Sequence, residues 1–151
     1  MPRNSSGFTL IEVLLVVIIL AILAGMMITR FLDVADDAKQ SSLKHNLAVL
    51  ETQLEIYRAQ HLNTYPKIVN NALPQLTNAT NAQGEIGPPG PDYPFGPYLL
   101  EPPMNPYDGS KAVVPVEKNG ERPTGVVGKL GGWQYDETTG AVWPNNPEAY
   151  Q

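Results

Sequence analysis

The sequence predicts an α+β fold, in which a long N-terminal helix packs by its second half on a small antiparallel sheet with long loops. The first half of that helix is predicted to span a membrane. Three observations carry the prediction: residues 8–28 are an almost uncharged apolar run, residues 29–62 contain no proline or glycine, and aromatic and β-branched residues flank a short loop near the C-terminus. Because these patterns follow one another along the chain, we predict the helix first and the sheet last.

The apolar run at residues 8–28 is long enough to cross a membrane. It contains 21 residues, and about 20 helical residues at about 1.5 Å each span a hydrocarbon core of roughly 30 Å. Glu12 is its only charged residue. An acid at the centre of a spanning helix costs about 2.5–3.5 kcal/mol, and less near an interface, so its presence indicates a function. Arg3 is the only charged side chain ahead of the run, which favours a cytoplasmic N-terminus.

Residues 29–62 are predicted to continue the helix as an amphipathic segment. Five large apolar residues recur at alternating spacings of four and three, namely Leu43, Leu47, Leu50, Leu54 and Tyr57. That spacing places them on one helical face. The stripe covers only about two heptads, which is short for a coiled coil, so we expect residues 40–62 to pack on the chain's own C-terminal region. The helix should end near Asn63, because the residue before Pro66 avoids the α region.

Residues 63–151 are predicted to be loop-rich, since the 15 prolines and 13 glycines of the chain concentrate there. Two short β-branched segments are predicted to be strands, at residues 111–116 and 124–127. A hairpin is predicted where residues 132–135 and 141–143 flank a five-residue loop that ends in glycine.

Residues 7–12 carry a family resemblance. Their sequence, GFTLIE, runs directly into the apolar segment and resembles the processing signal of type IV prepilins and type II secretion pseudopilins. The resemblance implies cleavage by a prepilin peptidase after Gly7 and N-methylation of the new terminus at Phe8. It also implies that Glu12, the fifth residue after the cut, pairs with the Phe8 amine of a neighbouring subunit and sets its axial register. The Gly-Trp-x-Tyr and Thr-Gly-x-Val patterns of the predicted hairpin resemble the terminal hairpin of major pseudopilins.

The resemblance implies a structural protein with a pilin-like fold. The expected organisation is a leader peptide, a transmembrane and assembly helix, an amphipathic continuation and a globular region, at residues 1–7, 8–28, 29–62 and 63–151. The implied partners are further copies of the chain in a helical homopolymer, the prepilin peptidase and methylase, minor pseudopilins, the inner-membrane secretion platform and membrane lipid. The chain is then expected to cross the inner membrane once, with its C-terminal region outside the cytoplasm and its filament in the periplasm or at the cell surface.

Within this family the sequence favours the major pseudopilin of a type II secretion system. A type IV pilin for adhesion, motility or DNA uptake is the alternative, but the chain has no cysteine pair and no proline breaks its apolar run. A membrane-anchored binding module that never polymerises is a second alternative. For the N-terminal segment, a secretory signal cleaved near Gly25 and an uncleaved signal anchor compete with the prepilin signal. A lipoprotein signal is excluded, because the chain has no cysteine to acylate.

Composition and side-chain patterns argue against other classes of function. The formal net charge of −5 and the pI near 4.9 disfavour nucleic acid as a partner. The sequence contains no recognisable Ser/His/Asp set, phosphate loop or zinc-ligand spacing, so we do not expect an enzyme. His45 and His61 lie 16 residues apart, which is about 160° around a helix, so we expect no metal pair from them.

Calcium is the remaining candidate ligand. The resemblance implies a calcium site in a C-terminal loop, where Asp108, Asp136 and Glu137 are the oxygen-bearing turn residues of this chain. Calcium takes six to eight oxygen ligands, and the spacing of Asp136 and Glu137 is not that of an EF-hand. Turn chemistry accounts for Asp108 and Asp136 without a metal. We therefore expect no cofactor and retain a calcium site on these three residues as the alternative.

Overall fold

The computed structural model describes residues 7–147, apart from the side chains of residues 28–33. Arg3 and the rest of the predicted leader ahead of Gly7 therefore lie outside the described residues. The chain divides into two compact units, Met1–Ala38 and Lys39–Gln151. One long helix, α1 (Leu10–Gln60), contributes to both.

In the first unit, α1 presents an apolar surface that the described residues do not cover. The segment Leu10–Met27 is 18 residues long, is apolar enough to cross a membrane, and has no residue buried within the structure. Burying a large aliphatic side chain contributes about 1.5–3 kcal/mol, so a surface of this kind is stable only against lipid or another protein. The predicted long apolar helix is therefore confirmed.

In the second unit, α1 buries the predicted apolar stripe. The fully buried residues of the stripe are Leu50, Leu54 and Tyr57. The other two, Leu43 and Leu47, are partly buried against the same core. The helix ends at Gln60, slightly before the predicted end. Leu62 and Asn63 follow it with left-handed φ angles of 54° and 61°, a conformation that commonly closes a helix.

Three short strands form one sheet in the order β1–β2–β3, with bounds Val113–Pro115, Trp133–Tyr135 and Val142–Pro144. Strands β2 and β3 pair antiparallel, with Gln134 opposite Trp143, so the predicted hairpin is confirmed. Strand β1 pairs parallel with β2, which makes the sheet mixed where a wholly antiparallel one was expected. A parallel pair needs a connection of about a dozen residues or more, and residues 116–132 supply it.

The strand predicted at residues 124–127 is wrong, because these residues form no ladder. The valines there are typical of a strand, but the backbone of Val127 is bonded by one side chain. The Val127 N–H donates to Asn145 Oδ1 at 2.8 Å, and Asn145 Nδ2 donates to the Val127 carbonyl at 2.9 Å. A side-chain amide thus takes the two backbone groups that a neighbouring strand would otherwise bond.

The core of the second unit joins the stripe of α1, the short helix α2 (Pro74–Thr77) and the sheet. Trp133 and Tyr135 are fully buried in it. Their polar atoms are satisfied, since the Trp133 indole N–H donates to the Pro103 carbonyl at 2.9 Å and the Tyr135 hydroxyl donates to the Pro66 carbonyl at 3.1 Å. The two rings therefore contribute their full apolar area without leaving a buried donor unpaired.

Glycine is required at the point where β1 and β2 begin to pair. Gly132 has a φ of +75°, and a Cβ atom there would lie 2.2 Å from the Ala112 carbonyl oxygen. The Trp133 N–H donates to that same carbonyl at 2.8 Å. A larger residue at position 132 would force the two strands apart, because neither the backbone conformation nor the space accommodates a side chain.

Candidate functional site

The N-terminal end of α1 is closed by a reciprocal pair of hydrogen bonds between Thr9 and Glu12. The backbone N–H and the hydroxyl of Thr9 each donate to Glu12 Oε2 at 2.8 Å, and the Glu12 N–H donates to Thr9 Oγ1 at 3.3 Å. This is a capping box, in which each side chain accepts a hydrogen bond from the backbone N–H of the other residue. It explains why the helix begins at Leu10 rather than at Phe8. The Thr-x-x-Glu spacing was the signal, and sequence reasoning that concentrated on the charge of Glu12 missed it.

The two residues of the predicted processing junction lie immediately ahead of this cap. Gly7 and Phe8 are outside the helix and exposed, and Phe8 is 87% accessible. The Gly7–Phe8 bond therefore joins two exposed residues outside regular secondary structure. The structure thus joins Thr9 and Glu12 at the start of α1, with Phe8 exposed just ahead of them. Cleavage and methylation at this junction stay predictions.

Hydrogen bonds from Thr9 hold the Glu12 carboxylate. Among the described side chains, no lysine, arginine or histidine lies within 4 Å of it. Its position at the helix N-terminus favours a negative charge, because the unbonded N–H groups there carry partial positive charge. What this arrangement offers chemically is an oriented carboxylate that is open to a cation from another molecule.

The three calcium candidates do not converge on one another. Within the described residues, no group of three or more histidine, cysteine, aspartate or glutamate side chains is placed to hold a metal. Asp108 accepts hydrogen bonds from the N–H groups of Ser110 and Gly132 at 2.8 and 2.9 Å. Glu137 lies 3.5 Å from Lys67 Nζ and accepts from the Ile68 N–H. Each of these acids is engaged by a different segment of the chain.

Asp136, the third candidate, is fully buried and is the hub of the hairpin loop. Its Oδ1 accepts from the Thr138 N–H at 2.8 Å, and its Oδ2 accepts from the Gly120 N–H at 2.6 Å and from the Thr139 hydroxyl at 2.8 Å. Burial by itself raises the pKa of Asp136, but the hydrogen bonds from Thr138, Gly120 and Thr139 outweigh it and lower the pKa to about 2. Calcium needs six to eight oxygens, and among the described residues these three carboxylates are not grouped at one point. The absence of a calcium site stays a prediction.

His61 is a buried residue whose role the sequence analysis did not identify. Its Nδ1 lies 2.8 Å from the Tyr57 carbonyl and must carry the proton, because a carbonyl only accepts. Its Nε2 then accepts from the Thr80 hydroxyl at 2.9 Å, and its ring stacks on that of Tyr57 with centroids 3.7 Å apart. His61 is therefore a packing residue. Its spacing of four from Tyr57, which continues the apolar stripe, is the signal that predicts its burial.

Comparison with known proteins gives the N-terminal site a context. A family described as the prokaryotic N-terminal methylation motif matches residues 2–28. The match includes the Gly7–Phe8 junction, the capping pair Thr9 and Glu12, and the apolar segment of α1 as far as residue 28. No solved structure matches the chain significantly.

Several curated proteins are similar to the chain well beyond that motif. The type II secretion system core protein G of Aeromonas hydrophila is 31% identical over 105 residues, which cover 70% of this chain and 69% of the relative. The protein of the same name from Vibrio cholerae is 30% identical over 105 residues, covering 70% and 67%. The one from Klebsiella pneumoniae is 26% identical over 119 residues, covering 79% and 81%.

Proposed function

Because this chain belongs to the family of type II secretion system core protein G, the major pseudopilins, we propose that it is processed at the Gly7–Phe8 bond and polymerises into a type II secretion filament. The chain is a structural subunit of a pilus-like filament. The observation that carries the proposal is the methylation motif at residues 2–28, in a chain whose relatives share one name over 70–79% of its length. That shared name favours the secretion filament over a pilus for adhesion or motility.

In this proposal, processing creates the charge that assembly uses. A prepilin peptidase cuts after Gly7, and the new amine at Phe8 is methylated and remains cationic. The exposed position of Phe8 ahead of the helix leaves that amine accessible to another subunit. The Glu12 carboxylate, oriented by Thr9, supplies the anion.

The pairing of Glu12 with the Phe8 amine of a neighbouring subunit then fixes the axial register of the filament. Desolvation of the two charges can cancel their attraction. The expected role of the pair is therefore to fix the relative position of the subunits, and not to add net stability. The Thr9 donors reduce the desolvation cost of the carboxylate, because they replace part of the water that it loses.

Before assembly, the subunit is held in the inner membrane by the segment Leu10–Met27. Its second unit lies outside the cytoplasm, and assembly replaces lipid around the apolar helix with the helices of other subunits. The partners in this scheme are further copies of the chain, the prepilin peptidase and methylase, minor pseudopilins, and the inner-membrane platform. The chain has no catalytic role in it, and its C-terminal region folds without calcium.

Mass spectrometry of the mature protein tests the processing step directly. The proposal requires an N-methylated terminus at Phe8 in protein taken from cells that carry the peptidase. An intact Met1, or a mature terminus at Gly25, would contradict it. Electron microscopy of the same cells should show filaments labelled by an antibody against the second unit, and their absence would contradict polymerisation.

A further inference from the structure

The long connection between β1 and β2 is an ordered loop with little backbone structure of its own. Residues 117–131, termed here the latched loop, contain one backbone–backbone hydrogen bond between described residues, from the Glu121 N–H to the Lys118 carbonyl at 3.4 Å. A loop of this length without internal bonding is expected to sample many conformations. Its order must therefore come from elsewhere.

Buried side chains of the sheet hold the loop at successive points. Asp136 bonds the Gly120 N–H at 2.6 Å, and Gln134 Nε2 donates to the Gly125 carbonyl at 2.7 Å. Asn145 bonds both backbone groups of Val127 and also donates to the Gly131 carbonyl at 3.1 Å. All three side chains are at most 3% exposed. Each bond is thus shielded from water and fixes a loop backbone group to the rigid sheet.

The loop tip, defined as Val126, Lys129 and Leu130, is nevertheless turned outward. Val126 and Leu130 are 43% and 51% exposed. No carboxylate of the described residues lies within 4 Å of Lys129. An apolar, cationic tip whose backbone is already fixed loses little conformational entropy when it binds, which is the property of a preorganised contact surface.

A second exposed surface has the opposite charge. The outward face of α1 carries the helix groove, defined as Glu51, Thr52, Glu55, Ile56 and Ala59. Ile56 is 40% exposed. The Thr52 hydroxyl donates to the Ala48 carbonyl at 2.7 Å, so its methyl group is left for the surface. Glu51 has no cationic side chain within 4 Å among the described residues, whereas Glu55 is paired with Arg58 at 2.6 Å.

We propose that the loop tip of one copy docks in the helix groove of the next copy in the filament. This inference rests on the proposed function. Val126 and Leu130 would cover Ile56 and Ala59, and Lys129 would face Glu51. Because the tip and the groove are different surfaces of the same unit, the contact is heterologous, and repeating a heterologous contact that does not close generates an open helical polymer.

The lack of cysteine in the chain allows a direct test. Filaments formed by the Ile56→Cys/Leu130→Cys variant should cross-link on mild oxidation into a ladder of multimers. The matched control is Ile56→Cys/Leu100→Cys, which moves the second thiol to a leucine that is 99% exposed elsewhere. Normal filaments that give no ladder, or a control that cross-links equally well, would overturn the inference.

A charge exchange tests the pairing independently. Lys129→Glu should reduce the number of filaments by about tenfold or more, because it places like charges opposite each other. Adding Glu51→Lys should restore them. Lys118→Glu is the control, since Lys118 lies in the same loop but faces Glu121 at 3.6 Å. If the wild-type chain forms no filaments, the proposed function fails. If it forms them and Glu51→Lys gives no rescue, only the docking inference fails.

Discussion

The two parts of α1 differ in how far their apolar side chains are buried. In the first unit, the described residues bury none of the segment Leu10–Met27, whereas in the second unit Leu50 and Leu54 are at most 1% exposed. The second unit carries its own core and should be stable alone. The first unit depends on lipid or on other copies. The second part of α1 is thus stabilised by contacts within its own chain. The first part is stabilised only by contacts with other molecules.

The largest effect expected from this difference concerns Glu12. Glu12→Ala should leave membrane insertion intact or improve it, since it removes a charge from an apolar helix. It should abolish nearly all filaments, because the neighbour's Phe8 amine loses its partner. The measurement is membrane fractionation alongside electron microscopy of the same cells. Thr9→Val, which keeps the charge of Glu12 and replaces only the Thr9 hydroxyl by a methyl group, should lose fewer filaments. Wild-type filament numbers from Glu12→Ala would show that the carboxylate does not set register.

The next effect belongs to the second unit and should be independent of assembly. In a chain shortened to residues 30–151, Leu50→Ala should lower the free energy of unfolding by about 2–5 kcal/mol, because it leaves a cavity in a closed core. Denaturant unfolding measures this. Ile56→Ala, on the outward face of the same helix, is the control and should cost about 1 kcal/mol or less. Equal losses from both variants would mean that the stripe does not pack as described.

A smaller effect should appear in acid. The pKa of Asp136 is about 2 in the folded protein, against an ordinary value of 3.8, so its ionised form stabilises the fold above about pH 4. That stabilisation, on the order of 1–2 kcal/mol, is lost as the pH falls from about 4 to 2. Thermal melts of residues 30–151 should show Asp136→Asn less stable than wild type at pH 7 and the two converging near pH 2. The exposed Asp92→Asn should match wild type throughout. A stability difference between Asp136→Asn and wild type that stayed constant from pH 7 to pH 2 would contradict the predicted role of the ionised carboxylate.

Removal of calcium is expected to have no effect on stability. A calcium chelator should leave the melting temperature of residues 30–151 unchanged, since Asp108, Asp136 and Glu137 are bonded to separate backbone segments. A marked drop in melting temperature, reversed by added calcium and not by magnesium, would establish a structural calcium site.

How far the sequence predicted this molecule depended on the range of each interaction. The stripe from Leu43 to Tyr57 and the hairpin around Asp136 are local patterns, and both were found. The parallel pairing of β1 was not foreseen, because it depends on where a distant strand lies. The strand at residues 124–127 failed for the same reason, since the residue that replaces its partner, Asn145, lies 18 positions beyond Val127.

The N-terminal site illustrates a different limit. The residues of the processing motif could be named from their order alone, but the Thr9–Glu12 cap was overlooked although its spacing is short. The resemblance assigns Glu12 a role in assembly, and its second role as a helix cap was therefore not considered. His61 was overlooked in a similar way, because a polar residue that continues an apolar stripe is usually assigned to the surface.

The latched loop also has a consequence for the resistance of the protein to proteases. Lys118, Arg122 and Lys129 are exposed sites for a trypsin-like protease, yet a protease must pull several residues of backbone into its cleft. That backbone is held by Asp136, Gln134 and Asn145, which belong to β2 and β3 or directly flank them. Cutting the loop therefore requires the sheet to open first, so the rate of degradation should follow the global unfolding equilibrium and not a local opening of the loop.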